Sequence, residues 1–350
     1  MMKRSAVLFQ STPGARLNPV KGCYTALALF LPLVVLGLLG HVAFGGQVMF
    51  GALLTAFGNV GPFSRMQAKS LLMIAVGGAF MTALGRLIGG LWWVEGIEIF
   101  LVVLLSGLLA AFGQAIAGVG SLLTIIFVLS LSTRAGPATA WSSAVGFLLG
   151  GASLLVFALV FARLQAGHRI PENEAHSRIR PALNTLTTRL TWTSPLFRFS
   201  VLRALGAAVA SGIGWVLSGP YPYWAALTVI ICARPQKRAS MVLILQNIVA
   251  TLLGAVLADL TIALVQSDLV RGLLAIPVTF LAFTVKELNY VLHLFFLTNL
   301  ILLVASIGHA DHAFIAWRVL AILIGSGIVL VITALNQAWL VKNEAVPEVS

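Results

Sequence analysis

Apolar residues come in unbroken runs of about 15–25 positions, the length that carries a helix across ~30 Å of hydrocarbon, and such runs recur from Tyr24 to Trp339. A membrane barrel would instead alternate apolar and polar positions in segments of about ten. The runs predict spans near residues 24–44, 46–61, 70–90, 97–113, 117–132, 138–161, 199–217, 221–233, 241–265, 270–285, 288–307 and 314–339. The pattern breaks once, over residues 162–197, where Pro171, Pro181 and Pro195 stand among basic groups. That stretch predicts a linker with a short amphipathic helix around 178–192 lying on the membrane surface. The chain therefore divides into an N-terminal segment 1–22, a six-helix half 23–161, the linker 162–197, a second six-helix half 198–339 and a tail 340–350.

The halves resemble each other. GALLTAFGNVGPFSR runs to Arg65 and AALTVIICARPQKR to Arg238, and the interval from Pro62 to Pro235 equals that from Arg65 to Arg238. Further on, Trp141 precedes Gly150 as Trp317 precedes Gly325, with the interval between the tryptophans only slightly longer. The expected fold is an all-α membrane protein of about twelve transmembrane helices in two parallel six-helix repeats, related by an axis along the membrane normal. The second and eighth spans are short in both halves. Gly45–Gly61 is bracketed by glycines, and Tyr221–Ala233 is shorter still and follows Ser218-Gly219-Pro220. A helix of about thirteen residues rises only ~20 Å, so the eighth span is expected to dip partway. Matched short spans point toward a transport site.

Composition narrows the class further. Hydrophobic residues make up 59% of the chain and charged ones 9%, whereas soluble domains carry about 25% charged residues. The net charge of +12 is distributed one-sidedly: of the Lys and Arg side chains, all but Arg86, Arg134, Arg271 and Arg318 fall on the side of the termini. The positive-inside rule then puts both termini in the cytoplasm. The charge orients the protein in a lipid bilayer, and no nucleic-acid partner is needed to explain it. Cys23 and Cys232 imply neither a disulfide nor a metal site. The first apolar run is longer than a signal-peptide core and reads as a retained helix.

Chemistry-bearing patterns are sparse. HExxH, GxSxG and Walker-type loops are absent, and no two acids are expected on one helix face, so neither an enzyme, a cofactor nor a metal is expected. Intramembrane charges are costly and tend to face a cavity or a partner. Asp259 lies about 9 Å from the outer end of its span, and Arg86 and Arg318 lie at comparable depth. The three are expected near one another at the outer end of a cavity between the halves, although arginines near span ends also snorkel to the interface. His293 is a candidate proton relay or a core histidine.

Tyr223-Trp224-Ala225-Ala226-Leu227-Thr228-Val229 leading to Arg234-Pro235, then Ala250–Ala255, Asn289-Tyr290, Phe296-Leu297-Thr298 and Trp317-Arg318 leading to Gly325 together resemble the fusaric acid resistance family of aromatic acid exporters. The resemblance covers roughly residues 198–338. It departs from the family at Asn247, where arginine is usual, and in its short linker. It implies a bacterial inner-membrane exporter of small organic or aromatic acids, ion-coupled or gradient-driven, working with a periplasmic membrane-fusion-type adaptor. It also places Tyr223, Trp224, Thr228 and Thr298 beside Arg86, Asp259, His293 and Arg318 as substrate-path candidates. A reading of another class is a membrane scaffold or assembly component without transport of its own.

Overall fold

A computed structural model describes residues 16–59, 63–88, 92–131, 136–166, 194–217, 221–307 and 312–344. The linker helix expected around 178–192, Pro62 and Ser218-Gly219-Pro220 lie outside the described residues. Within them the chain is all helical, with no strand: α1 (Pro19–Leu38), α2 (Val42–Phe57), α3 (Arg65–Ile88), α4 (Trp92–Leu108), α5 (Gln114–Ser130), α6 (Pro137–Ala166), α7 (Pro195–Val216), α8 (Trp224–Cys232), α9 (Lys237–Leu264), α10 (Asp268–Thr284), α11 (Tyr290–Ala305) and α12 (His312–Glu344). A 3₁₀ turn, Leu109–Phe112, extends α4.

Local chemistry sets several of these boundaries. Proline opens α1, α6 and α7, a position where its missing N–H costs nothing and its fixed φ suits a helix. Asn18 caps α1 by accepting from the Lys21 N–H at 3.0 Å. Asn289 caps α11 in the same way, accepting from the Leu292 N–H at 3.1 Å, so each satisfies an orphan donor of its first turn. Among the described residues seven helices are long and apolar enough to cross a membrane. The others are shorter: α2 and α8, as expected, and also α5, α10 and α11. The shortest is α8, in which every residue but Ile231 is buried.

In the first half α1 packs on α2 and α6, α2 on α6, α3 on α5 and α6, and α4 on α5. In the second half α7 packs on α8 and α12, α8 on α12, α9 on α11 and α12, and α10 on α11. Two large contacts join the halves, α4 against α7 and α10 against α1. Both rest on a glycine beside a hydroxyl. A β-carbon at Gly107 would lie 2.6 Å from Ser200 Oγ, and one at Gly22 would strike Thr284 Oγ1. Small residues let helix backbones approach closely where lipid supplies no hydrophobic drive. Gly150 does the same for α6 on the α2 backbone, and Gly325 for α12 on Thr228 and the Ala225 carbonyl of α8.

Candidate functional site

The short helices α2 and α8 leave four C-terminal carbonyls each without an intrahelical partner. Buried cations take some of them. Lys286, in the turn between α10 and α11, donates to Ala56 O at 2.9 Å, Phe57 O at 2.8 Å and Asn59 O at 3.1 Å. Burial and the neighbouring Lys21 pull its pKa well below the usual lysine range, while Glu287 pulls the other way. Three donated hydrogen bonds require the ammonium, since a neutral amine has only two N–H groups. At α8, Arg203 donates to Ile230 O at 2.7 Å. The interval from Phe57 to Ile230 is the same as that from Arg65 to Arg238, so matched carbonyls receive a cation in both halves.

Around Lys286 the polar groups interlock. Lys21 pairs with Glu287 at 2.6 Å, and Asn59 donates to the Tyr24 hydroxyl. Lys21, counted above on the side of the termini, is 1% exposed, and Arg198 and Arg203 are buried as well. Helix α1 begins at Pro19, ahead of the apolar run, and draws Lys21 into the packing. Arg198 bonds Asn336 Oδ1 at 3.0 Å and lies over the Trp339 ring.

A cavity of about 1030 Å³ opens among the C-terminal end of α2 and the starts of α3 and α5, with Arg234, just past α8, reaching it from the second half. Its lining mixes Phe57, Phe63 and Met66 with Ser64, Gln67 and Ser121. Gln67 donates to Gly58 O at 2.8 Å, adding a further cap to α2. An apolar pocket with few convergent polar groups and one guanidinium suits an amphipathic anion.

None of the residues expected along the path lines this cavity. The structure gathers three of them at the other end of α8. Tyr221 stacks on Trp224 at 4.7 Å, Phe314 meets both rings edge-on, and Arg318 lies 4.9 Å over Trp224 beside Tyr223. Trp317 Nε1 donates to Tyr221 O at 3.0 Å. Thr228 sits one turn further along α8, against Gly325. Thr298 packs on Gly254 of α9. His293 donates through Nδ1 to Ala282 O at 2.8 Å between the rings of Phe57 and Phe283, the arrangement of a core histidine. Arg86 is on α3, whose main contacts are α5 and α6, whereas Asp259 is on α9, which packs on α11 and α12. Glu95 and Glu98 stand one turn apart on one face of α4, so the expectation of no paired acids fails at that helix; spacing i, i+3 places side chains together. Among the described residues no group of three His, Cys, Asp or Glu is placed to hold a metal ion.

Sequence reasoning missed Lys286, Gln67, Glu287 and the burial of Lys21. The one signal that led near the cavity was the matched spacing of Arg65 and Arg238, each a few residues past a short helix.

Comparison with known proteins bears on the second half. The chain is similar, at 25% identity over 156 residues, to an uncharacterized protein of Synechocystis sp., slr1298. That match covers 44% of this chain, which spans about a fifth (20%) of the length of that relative. No solved structure matches. The model of the fusaric acid resistance protein-like family matches residues 208–332, the region of α7 through α12 that holds α8, its aromatic cluster and Arg318. The chain is a multi-pass helical membrane protein that is similar to the fusaric acid resistance protein-like family over residues 208–332.

Proposed function

We propose that this protein is a transporter that moves small organic anions, aromatic acids among them, out of a bacterial cytoplasm across the inner membrane. Both termini are cytoplasmic in this reading, and a periplasmic membrane-fusion-type adaptor receives the substrate. The twelve helices form two six-helix repeats in parallel orientation. Supporting this are the matched helix pairings within the halves, the reciprocal contacts α4–α7 and α10–α1, and the equivalent seats of Gly150 and Gly325.

The observation that carries the function is the cavity at the end of the two short helices, where Arg234 from one half meets Phe57, Ser64 and Gln67 from the other. In the proposed topology it opens to the cytoplasm. Its volume admits a substituted aromatic acid, the phenyl rings provide apolar walls, and the guanidinium provides the fork that a carboxylate matches.

Purified protein in liposomes, loaded with a panel of aromatic and aliphatic carboxylates, tests the reading by exchange of labelled for unlabelled anion. Arg234→Gln is expected to weaken exchange about ten- to a hundredfold, the value of a charged hydrogen bond of about 1.5–3 kcal/mol. Arg234→Lys should fall between. The side chain is exposed, so protein levels should hold. No exchange of any acid by the wild type would remove the transporter reading and leave the scaffold.

A further inference from the structure

Glu98 stands about two turns into α4, and neither carboxylate oxygen is reached by solvent or has a hydrogen-bond partner. Glu95, one turn earlier on the same face, is buried and accepts from Trp215 Nε1 of α7 at 2.9 Å. The charge that acts on Glu98 is the Glu95 carboxylate. Among the described residues the other packing elements bring no compensation. α5 carries no ionisable side chain between Gln114 and Ser130. The arginines of α7, Arg198 and Arg203, lie toward its opposite end, and Arg86 is on α3, whose main contacts are α5 and α6.

The second half shows what a neutralised version of this place looks like. Asp268 and Arg271 follow Glu95 and Glu98 at the same interval that separates Arg65 from Arg238. There Arg271 pairs with Asp268 at 3.4 Å and donates to Val265 O, Gln266 O and Ser306 O. An ionised carboxylate enclosed without donors is expensive, so the packing around Glu98 suits the neutral acid. A metal ion would need several more oxygens than this site supplies. Glu95, one turn away on the same helix, bonds Trp215 of α7, and α4 against α7 is one of the two large seams between the halves; alternating access moves one repeat against the other along such seams.

We propose that Glu98 is the proton-binding site of this protein, an inference that rests on the transport reading above. When the α4–α7 seam opens to the outer water, the Glu98 carboxylate takes up a proton and forms the O–H bond. The neutral acid is the form enclosed while the empty transporter turns inward, and the same O–H bond breaks when the seam meets inner water. The anion-loaded transporter then turns outward with Glu98 ionised, so one proton moves inward for each anion moved outward, and no bond to the anion forms.

The test uses liposomes of full-length protein with phthalate, an aromatic acid too charged to leak through lipid, and reads two quantities in the same vesicles. Exchange of labelled for unlabelled phthalate without a pH gradient reports transport; accumulation against a concentration difference under an imposed pH gradient reports coupling. Wild type should exchange, and should accumulate about tenfold per pH unit for each proton coupled. Glu98→Gln should keep exchange and lose accumulation. A Gln variant that still accumulates, or a wild type driven by a sodium gradient in place of the pH gradient, overturns the proposal while the transport reading stands. Absence of exchange in the wild type overturns both. Should Glu98→Gln fail to reconstitute, Glu98→Asp decides: a displaced pH midpoint of accumulation supports the site, and an unchanged one overturns it.

Discussion

Adding one methyl group at Gly150 is expected to loosen the first half. A β-carbon there would strike the Val48 carbonyl oxygen, lie 2.5 Å from the Ala52 amide nitrogen and lie 3.0 Å from the Gly51 carbonyl carbon. All three are backbone atoms of α2, so no rotamer change gives relief; α2 and α6 must separate. Overpacking of this kind costs about 1–3 kcal/mol. Alanine returns about 0.5–1 kcal/mol of helix preference over glycine, which leaves a net loss of roughly 1–2 kcal/mol for Gly150→Ala. Gly325→Ala, against Thr228 Cβ at 2.5 Å and Ala225 O at 2.6 Å, should lose a similar amount. Gly327→Ala is the internal control, because nothing lies within 4 Å of its β-position; it should be neutral or stabilised by up to about 1 kcal/mol. Unfolding of the detergent-solubilised protein by titration with a denaturing surfactant, followed by tryptophan fluorescence, ranks the three. Equal midpoints for Gly150→Ala and Gly327→Ala would refute the close α2–α6 approach.

Two further outcomes follow from the same structure. Arg318→Gln removes the cation from the Trp224 face, a contact of about 0.5–2 kcal/mol, and should slow anion exchange about two- to thirtyfold; Arg318→Lys should lose part of that, and silence of both variants would mean that the arginine merely snorkels. Reporter fusions after Leu164, Arg238 and Asn343 should read as cytoplasmic and fusions after Trp93 or Ala310 as external, and an inverted result at Trp93 would break the six-plus-six arrangement.

The elements were legible because each helix announces itself by an apolar run whose length the bilayer dictates. The shortness of α8 was legible for the same reason: the run between Pro220 and Arg234 has too few residues to cross. Partners were not. Lys286 meets the carbonyls of Ala56 and Phe57 from the far half of the sequence, and no local pattern encodes such a meeting. Arg86 and Asp259 looked alike in depth, yet Arg86 is on α3, which packs on α5 and α6, and Asp259 is on α9, which packs on α11 and α12. Depth along a helix is readable from counting, whereas azimuth among twelve packed helices is set by tertiary contacts. Glu98 was passed over because a glutamate near the start of a helix ordinarily faces water; the burial of its carboxylate oxygens exists only in the packed helices.

The cations that close α2 and α8 also settle a question of sign. A helix ends in about half a negative elementary charge at its C-terminus, the sum of its aligned peptide dipoles. Both short helices aim that end toward the cavity mouth, where two half-charges would repel an approaching carboxylate. The ammonium of Lys286 and the guanidinium of Arg203 are each a full positive charge placed on those very carbonyls, so the local field reverses at both helix ends. In the proposed transport reading, an anion arriving at Arg234 would meet a threshold that is net attractive, even though the backbone that builds it points its negative poles outward.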